Sequence, residues 1–296
     1  MNMKIFYFSL IIALFSGCAT TTSTSTITEE TKETINIDGS PFLRMKWAHK
    51  VAFNAYMDPA KVSGNNSGPG FYDGSAGVAG VLAQVLIYSA INNSAQKNKY
   101  NTAQEMMNKS LSPYQDKLNA FVHSDLWEAV KSKELGFKTF QEGDNSGVTL
   151  YEATPEFILS PDERAIMLVN QVKVFKSDNI EKPIYTNNFF VVSEPLANDD
   201  IASYWNDESS SKFVEVGSTL FADSIELALK DFNQELETTN EKKTFRYLFG
   251  QKKMYEHGQL INSSCNSVVM KNLRKFIYKV PATEPAYDCE HANKNT

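Results

Sequence analysis

The stretch "VTLYEATPEFILSPDERAIMLVNQVKVFKS", Val148 to Ser177, holds two apolar runs around a turn. Ser160-Pro161-Asp162 is favourable type I turn chemistry. In the second arm Ile166, Leu168, Asn170, Val172 and Val174 alternate with Met167, Val169, Gln171, Lys173 and Phe175. One of these faces is strongly apolar and the other mixed, which predicts a β-hairpin in a sheet packed on one side.

Reading outward toward the C-terminus, "PIYTNNFFVVSE" (Pro183 to Glu194) predicts a third strand, antiparallel to the second arm. The segment from Asp199 to Leu236 predicts one long amphipathic helix. Phe213, Val216, Leu220, Phe221, Ile225, Leu227, Ala228 and Phe232 recur at helical spacing, Ser209 to Ser211 offer a cap, and the sheet is the natural partner. "KTFRYLFG", "MYEHGQLINSS" and "NSVVMKNLRKFIYKVPA" predict two or three more strands, with Gly250 and Gly258 at turns or bulges. The expectation is an α+β fold: a helical N-terminal half, then a mainly antiparallel sheet of four to six strands against a long helix.

The helical half rests on weaker periodicity. Ala76 to Ser110 reads as one helix or two collinear ones, apolar as far as Ile91. Pro113 after Ser112 suits a first helical turn, and Ser124 or Asp125 suits the cap of a third helix bearing Leu126, Trp127 and Val130. Gly74, Gly77 and Gly80, within "GPGFYDGSAGVAGVLAQVLIYSAINNS", give a small-residue ridge for close helix packing. A membrane span needs about 20 apolar residues, and Asp73 and Gln84 would be costly in lipid.

The N-terminus carries an address. Lys4 precedes the apolar run "IFYFSLIIALF", and small residues precede Cys18 in "FSGC", as a cleavable leader requires. Residues 1–17 therefore read as a signal peptide. Residues 18–36, including "ATTTSTSTIT", read as a Ser/Thr-rich tether, 37–140 as the helical region and 141–292 as the sheet with its helix. Phe15-Ser16-Gly17-Cys18 resembles a bacterial lipobox, and the resemblance makes Cys18 the lipidated residue. Ala19, where an aspartate would favour inner-membrane retention, implies the outer membrane on the periplasmic side. With "LSPDERAIML", the glycine-bearing helix and the terminal "SCNSVVMKNLRKFIYKVPA", the chain resembles a set of uncharacterised Gram-negative lipoproteins. That resemblance implies no catalytic residue.

Apart from Cys18, the cysteines are Cys265 and Cys289, an even pair that reads as a disulfide in an exported chain. A zinc set drawn from these two with His257 and His291 lacks close ligand spacing. Hydrophobic residues make up 42% of the chain, enough for one sizeable core or two small ones. A net charge of −6 argues against a nucleic-acid partner, which would want a basic face.

Catalytic motifs are sparse. "SAQK" (Ser94 to Lys97) and "SSSK" (Ser209 to Lys212) match the Ser-x-x-Lys of penicillin-binding enzymes, but Lys242-Lys243-Thr244 runs into Phe245 where that class needs glycine. There is no Gly-x-Ser-x-Gly, "GPGFYDG" follows no apolar strand as a cofactor loop must, and His49, His123, His257 and His291 are scattered. No cofactor or metal is expected. Asp199-Asp200 and Asp207-Glu208 read as helix-start charges. The sequence thus points to a non-enzymatic, lipid-anchored envelope protein binding a protein, lipid or cell-wall partner. The competing class is a cell-wall hydrolase whose site assembles only in three dimensions.

Overall fold

The computed structural model describes residues 40–46, 51–56, 105, 108–140, 148–176, 180–197, 199–208 and 211–283. In chain order the elements begin with β1 (Phe42–Met45) and β2 (Ala52–Ala55). A single 3₁₀ turn (Ser112–Tyr114) then opens α1 (Gln115–Ala120), and α2 (His123–Ser132) and β3 (Lys138–Thr139) follow. Next come β4 (Thr149–Leu159), β5 (Ile166–Lys176), β6 (Tyr185–Val192), α3 (Ile201–Trp205) and α4 (Lys212–Phe232). Four strands close the described chain: β7 (Lys242–Phe249), β8 (Lys252–Ser263), β9 (Ser267–Asn272) and β10 (Ile277–Pro281).

The hairpin forms as its turn dictates, with Leu159 opposite Ile166, and β6 continues it antiparallel to β5. The whole sheet is larger than the period-two segments alone predict. Among the described residues it has ten strands, ordered β3-β1-β4-β5-β6-β10-β9-β8-β7, with β2 also pairing β4. It is mixed, because β1 and β2 run parallel to β4, β3 runs parallel to β1, and β10 runs parallel to β6. The expected four to six strands are therefore corrected to ten. The terminal segment contributes two strands, since Leu273 to Lys275 turns the chain back on itself and Lys275 takes a positive φ of 68°.

A helical N-terminal half is not what the described residues show. Residues 42–45 and 52–55 are strands of the main sheet, too short to announce themselves by alternation. Helix within 112–140 is confined to α1, α2 and the turn before them. Two helices occupy Asp199 to Leu236: the short α3, and the predicted long helix, α4, which starts directly after Ser211, at the end of the predicted Ser209 to Ser211 cap. Asp200 caps the first, accepting from Ser203 N at 3.0 Å, as a helix-start carboxylate should. Asp125 does not cap α2 by its position but reaches back from the first turn, accepting from Val122 N at 2.9 Å.

The sheet buries both faces. On one, α2 and α4 cover Tyr151, Phe157, Leu168, Val172, Phe189 and Ile277. Here Gly217 lets α4 approach closely, for a Cβ at that position would stand 2.6 Å from the Phe121 ring. Among the described residues the other face has no helix. Strands β7–β10 curl across it, so Phe245, Tyr247 and Phe249 share a second core with Ile158, Met167 and Phe190. The curl is pinned at the β7–β8 turn, where Gln251 N donates to Asp162 at 2.6 Å and Lys252 Nζ donates to the Tyr56 hydroxyl at 2.9 Å. Gly250 holds that turn with a φ of 63°, and its missing side chain leaves room for Asp162.

Candidate functional site: a crevice at the ends of two parallel strands

Strands β6 and β10 lie side by side and run the same way, so their carboxyl ends fall together. Beyond them the chain diverges. After Val192 it follows β5, with Ser193 N donating to Ile166 O and Leu196 N to Arg164 O; after Pro281 it follows β9, with Ala282 N donating to Asn266 O. Neighbouring parallel strands whose continuations leave in opposite directions open a crevice between them. The N-terminal half of α4 roofs this one, leaving a volume of about 360 Å³.

The lining follows from the elements. Val191, Val216, Leu220 and Pro281 supply apolar surface. Glu215, Thr219 and Asp223 project from successive turns of α4, and Ser193, Asn266, Ser267 and Lys279 come from the strand ends. Asp223 sits between two cations, 2.6 Å from Lys279 Nζ and 2.5 Å from Lys133 Nζ. Burial works against the Lys133 charge, but its hydrogen bonds to Asp223 and Glu226 outweigh that and raise its pKa. For Glu226 burial again opposes the charge, while Lys133 and Lys230 hold the carboxyl down at about 2.

The hydroxyls here are committed. Ser193 Oγ accepts from Ile166 N at 2.9 Å, Thr219 Oγ1 donates to Glu215 O at 2.9 Å, and Ser267 Oγ pairs with Ser264 Oγ at 2.9 Å. Among the described residues none of these three hydrogen bonds runs to a side-chain base. The crevice as built can hold and orient a ligand.

Two buried polar groups lie elsewhere. At the C-terminal end of α4, Asp231 accepts from Tyr185 OH at 2.6 Å, Asn187 Nδ2 at 2.9 Å and Lys271 Nζ at 2.9 Å; this network is fully satisfied and ties the helix to the sheet. Inside the second core the Tyr247 hydroxyl finds no hydrogen-bond partner among the described residues, while the Tyr278 hydroxyl and the Glu256 carboxyl lie close enough to influence each other's titration. Burial raises the pKa of Glu256, against a 3.2 Å hydrogen bond from Asn272 and the nearby charge of Arg274. Burial likewise raises both tyrosines.

Most sequence-predicted sites lie outside the described residues: Cys18, Cys289, His49, His291, Gly74, Gly77, Gly80 and Ser94 to Lys97. Cys265 stands in the exposed β8–β9 turn. His257 faces Thr244 at 3.2 Å, and among the described residues no three metal-ligating side chains come together. Lys212 bonds to Glu215 at 2.6 Å, and Lys242 and Thr244 lie on an exposed strand face. The chain also contains Ser177-Asp178-Asn179, the triplet that penicillin-binding enzymes carry, and it too includes only residues outside those described. No helix among the described residues is long and apolar enough to cross a membrane.

The crevice residues were not singled out by sequence reasoning. Glu215, Thr219 and Asp223 are visible as a polar stripe at spacing four, but nothing local places Val191 and Lys279 beside it. No family model, curated protein or solved structure matches the chain.

Proposed function

We propose that this chain is a lipid-anchored protein of the outer membrane, facing the periplasm, that binds an envelope protein, lipid or cell-wall polymer through the β6–β10 crevice as an assembly or transport accessory. The observation that carries the binding half is the crevice itself: an apolar floor and roof, ion pairs at the rim, and hydroxyls already spent on backbone and neighbouring groups. The anchoring half rests on the leader, the lipobox-like Phe15 to Cys18 and the Ser/Thr-rich segment after it. A disulfide between Cys265 and Cys289 belongs to the same exported reading.

Two measurements test the halves separately. Cys18→Ser is expected to move the protein from the membrane fraction to the soluble fraction, and retention in the membrane overturns the anchor. For the crevice, a photo-crosslinker at Thr219 in living cells is expected to yield one defined adduct, lost when Val216→Trp fills the space. Adducts unchanged by Val216→Trp overturn the crevice as the binding site.

A further inference from the structure

The net charge of −6 conceals a segregation. Between Lys242 and Thr283 the chain carries nine Lys and Arg against a single carboxylate, Glu256, which leaves −14 on the remainder. Strand register gathers much of this charge on one surface. Lys242 pairs with Gln259, Thr244 with His257, Arg246 with Tyr255 and Leu248 with Lys253, and directly opposed residues share a face of the sheet. Glu256 belongs to the opposite face and is turned into the second core.

The β9–β10 turn extends the same surface. Leu273 N donates to His257 O at 3.2 Å, bringing Leu273 alongside His257, and Arg274 and Lys275 follow it. All three turn residues are exposed. Among the described residues the exposed large hydrophobics are Ile180, Tyr255 and Leu273; two of the three lie here, Leu273 at 59% and Tyr255 at 44% exposure. No described carboxylate lies within ion-pair distance of Lys242, Lys253, Arg274 or Lys275. The acidic residues Glu237 and Glu241 precede β7 and border only its Lys242 end.

Lysine on an edge strand discourages further strand pairing, and that accounts for Lys242 and Lys243 on β7, the last strand of the sheet. It does not account for Lys253 on the inner strand β8, for Arg274 and Lys275 in the turn, or for an exposed leucine beside them. Cations that neutralise lipid phosphates, together with apolar side chains that enter the headgroup region, are the two signals that hold a protein reversibly on a membrane surface. A nucleic acid would use the same charges but gain nothing from Leu273.

We propose that this β7–β8 face, with the Leu273–Lys275 turn, docks on an anionic phospholipid surface. Lys242, Arg246, Lys253, Arg274 and Lys275 meet the phosphates, while Leu273 and Tyr255 enter the interface. The docking does not depend on the anchor or on the crevice, and its test leaves both aside.

The full chain bearing Cys18→Ser is co-sedimented with phosphatidylcholine vesicles and with vesicles of equal parts phosphatidylcholine and phosphatidylglycerol. Binding is expected to the anionic vesicles alone, to fall as salt is added, and to weaken about tenfold or more in the Lys253→Glu, Arg274→Glu, Lys275→Glu variant. Leu273→Ser is expected to weaken it without changing the salt dependence. Equal binding to both vesicle types, binding indifferent to salt, or tighter binding to single-stranded DNA than to the anionic vesicles overturns the proposal. Should the triple variant fail to fold, the vesicle comparison and the salt series on the parent chain decide it alone.

Discussion

The Asp223 carboxylate meets the Lys279 ammonium at 2.6 Å across the junction of α4 with β10, and holds Lys133 of α2's C-terminus on its other oxygen at 2.5 Å. One anion thus joins both helices and the sheet. Asp223 is only 12% exposed at its side chain, against 29% and 31% for the lysines, so truncating it strips the half-buried Lys279 ammonium of this anion and leaves Lys133 with Glu226 alone. Asp223→Ala is expected to cost about 2 kcal/mol, between the values for exposed and buried pairs. The urea midpoint should fall with an unchanged slope. Glu128→Ala, which breaks the exposed pair with Lys131, should move it by less than about 0.5 kcal/mol.

Gly217 marks where α4 comes closest to the aromatic layer. A Cβ there meets two atoms of the Phe121 ring, at 2.6 and 2.8 Å, and the Phe157 ring at 3.3 Å. Gly217→Ala is therefore expected to lose about 1–3 kcal/mol through overpacking, although alanine is the better helix former. Phe121→Leu in the same chain should recover part of that loss, and a double-mutant cycle by thermal unfolding checks the coupling.

Glu256 gives stability a dependence on pH above the ordinary carboxylate range. Burial raises its folded pKa above the unfolded value, so folding favours the protonated acid. Its contribution is full below the ordinary carboxylate range and is lost as pH rises through the raised pKa. Glu256→Gln keeps an acceptor for Asn272, and should leave stability unchanged at low pH while increasing it at pH values above that window. Urea midpoints of the two chains across pH give the answer; curves that stay parallel would exclude this account.

Glu226 acts in the opposite sense. Its pKa is held at about 2 despite burial, chiefly by hydrogen bonds from Lys133 and Lys230. The stability it provides is present above the unfolded carboxylate pKa and is lost as pH falls through that range toward about 2. Because the side chain is 31% exposed, solvent screening limits this to about 1 kcal/mol. Lys133→Met should flatten the acid limb of the unfolding curve, read by circular dichroism between neutral pH and strong acid.

What the chain makes legible is what is local. The hairpin from Thr149 to Lys176 carries its register in its turn and its alternation, and α4 carries its buried face in its spacing of apolar residues. The strands β1 and β2 are only four residues each, and their place beside β4 is fixed by pairing with residues about a hundred positions away. No window of local sequence contains that pairing. The terminal segment hid a turn at Leu273 to Lys275, because Leu273 is exposed where the alternating pattern suggests burial. The crevice shares this limitation, since it exists only once β10 lies against β6. Overall charge misled for a related reason: a net −6 averaged away a basic surface that strand register assembles.

Strand β10 separates two runs that are each contiguous in sequence, β4–β5–β6 on one side and β7–β8–β9 on the other. It is the keystone of the sheet, and the five residues from Ile277 to Pro281 are the last strand of the described chain to be made. During synthesis the first run emerges with the edge of β6 unmatched, and the site at the strand ends has only one wall. The molecule therefore completes its architecture and its crevice in a single late event. A chain stopped before Phe276 would lose the two together.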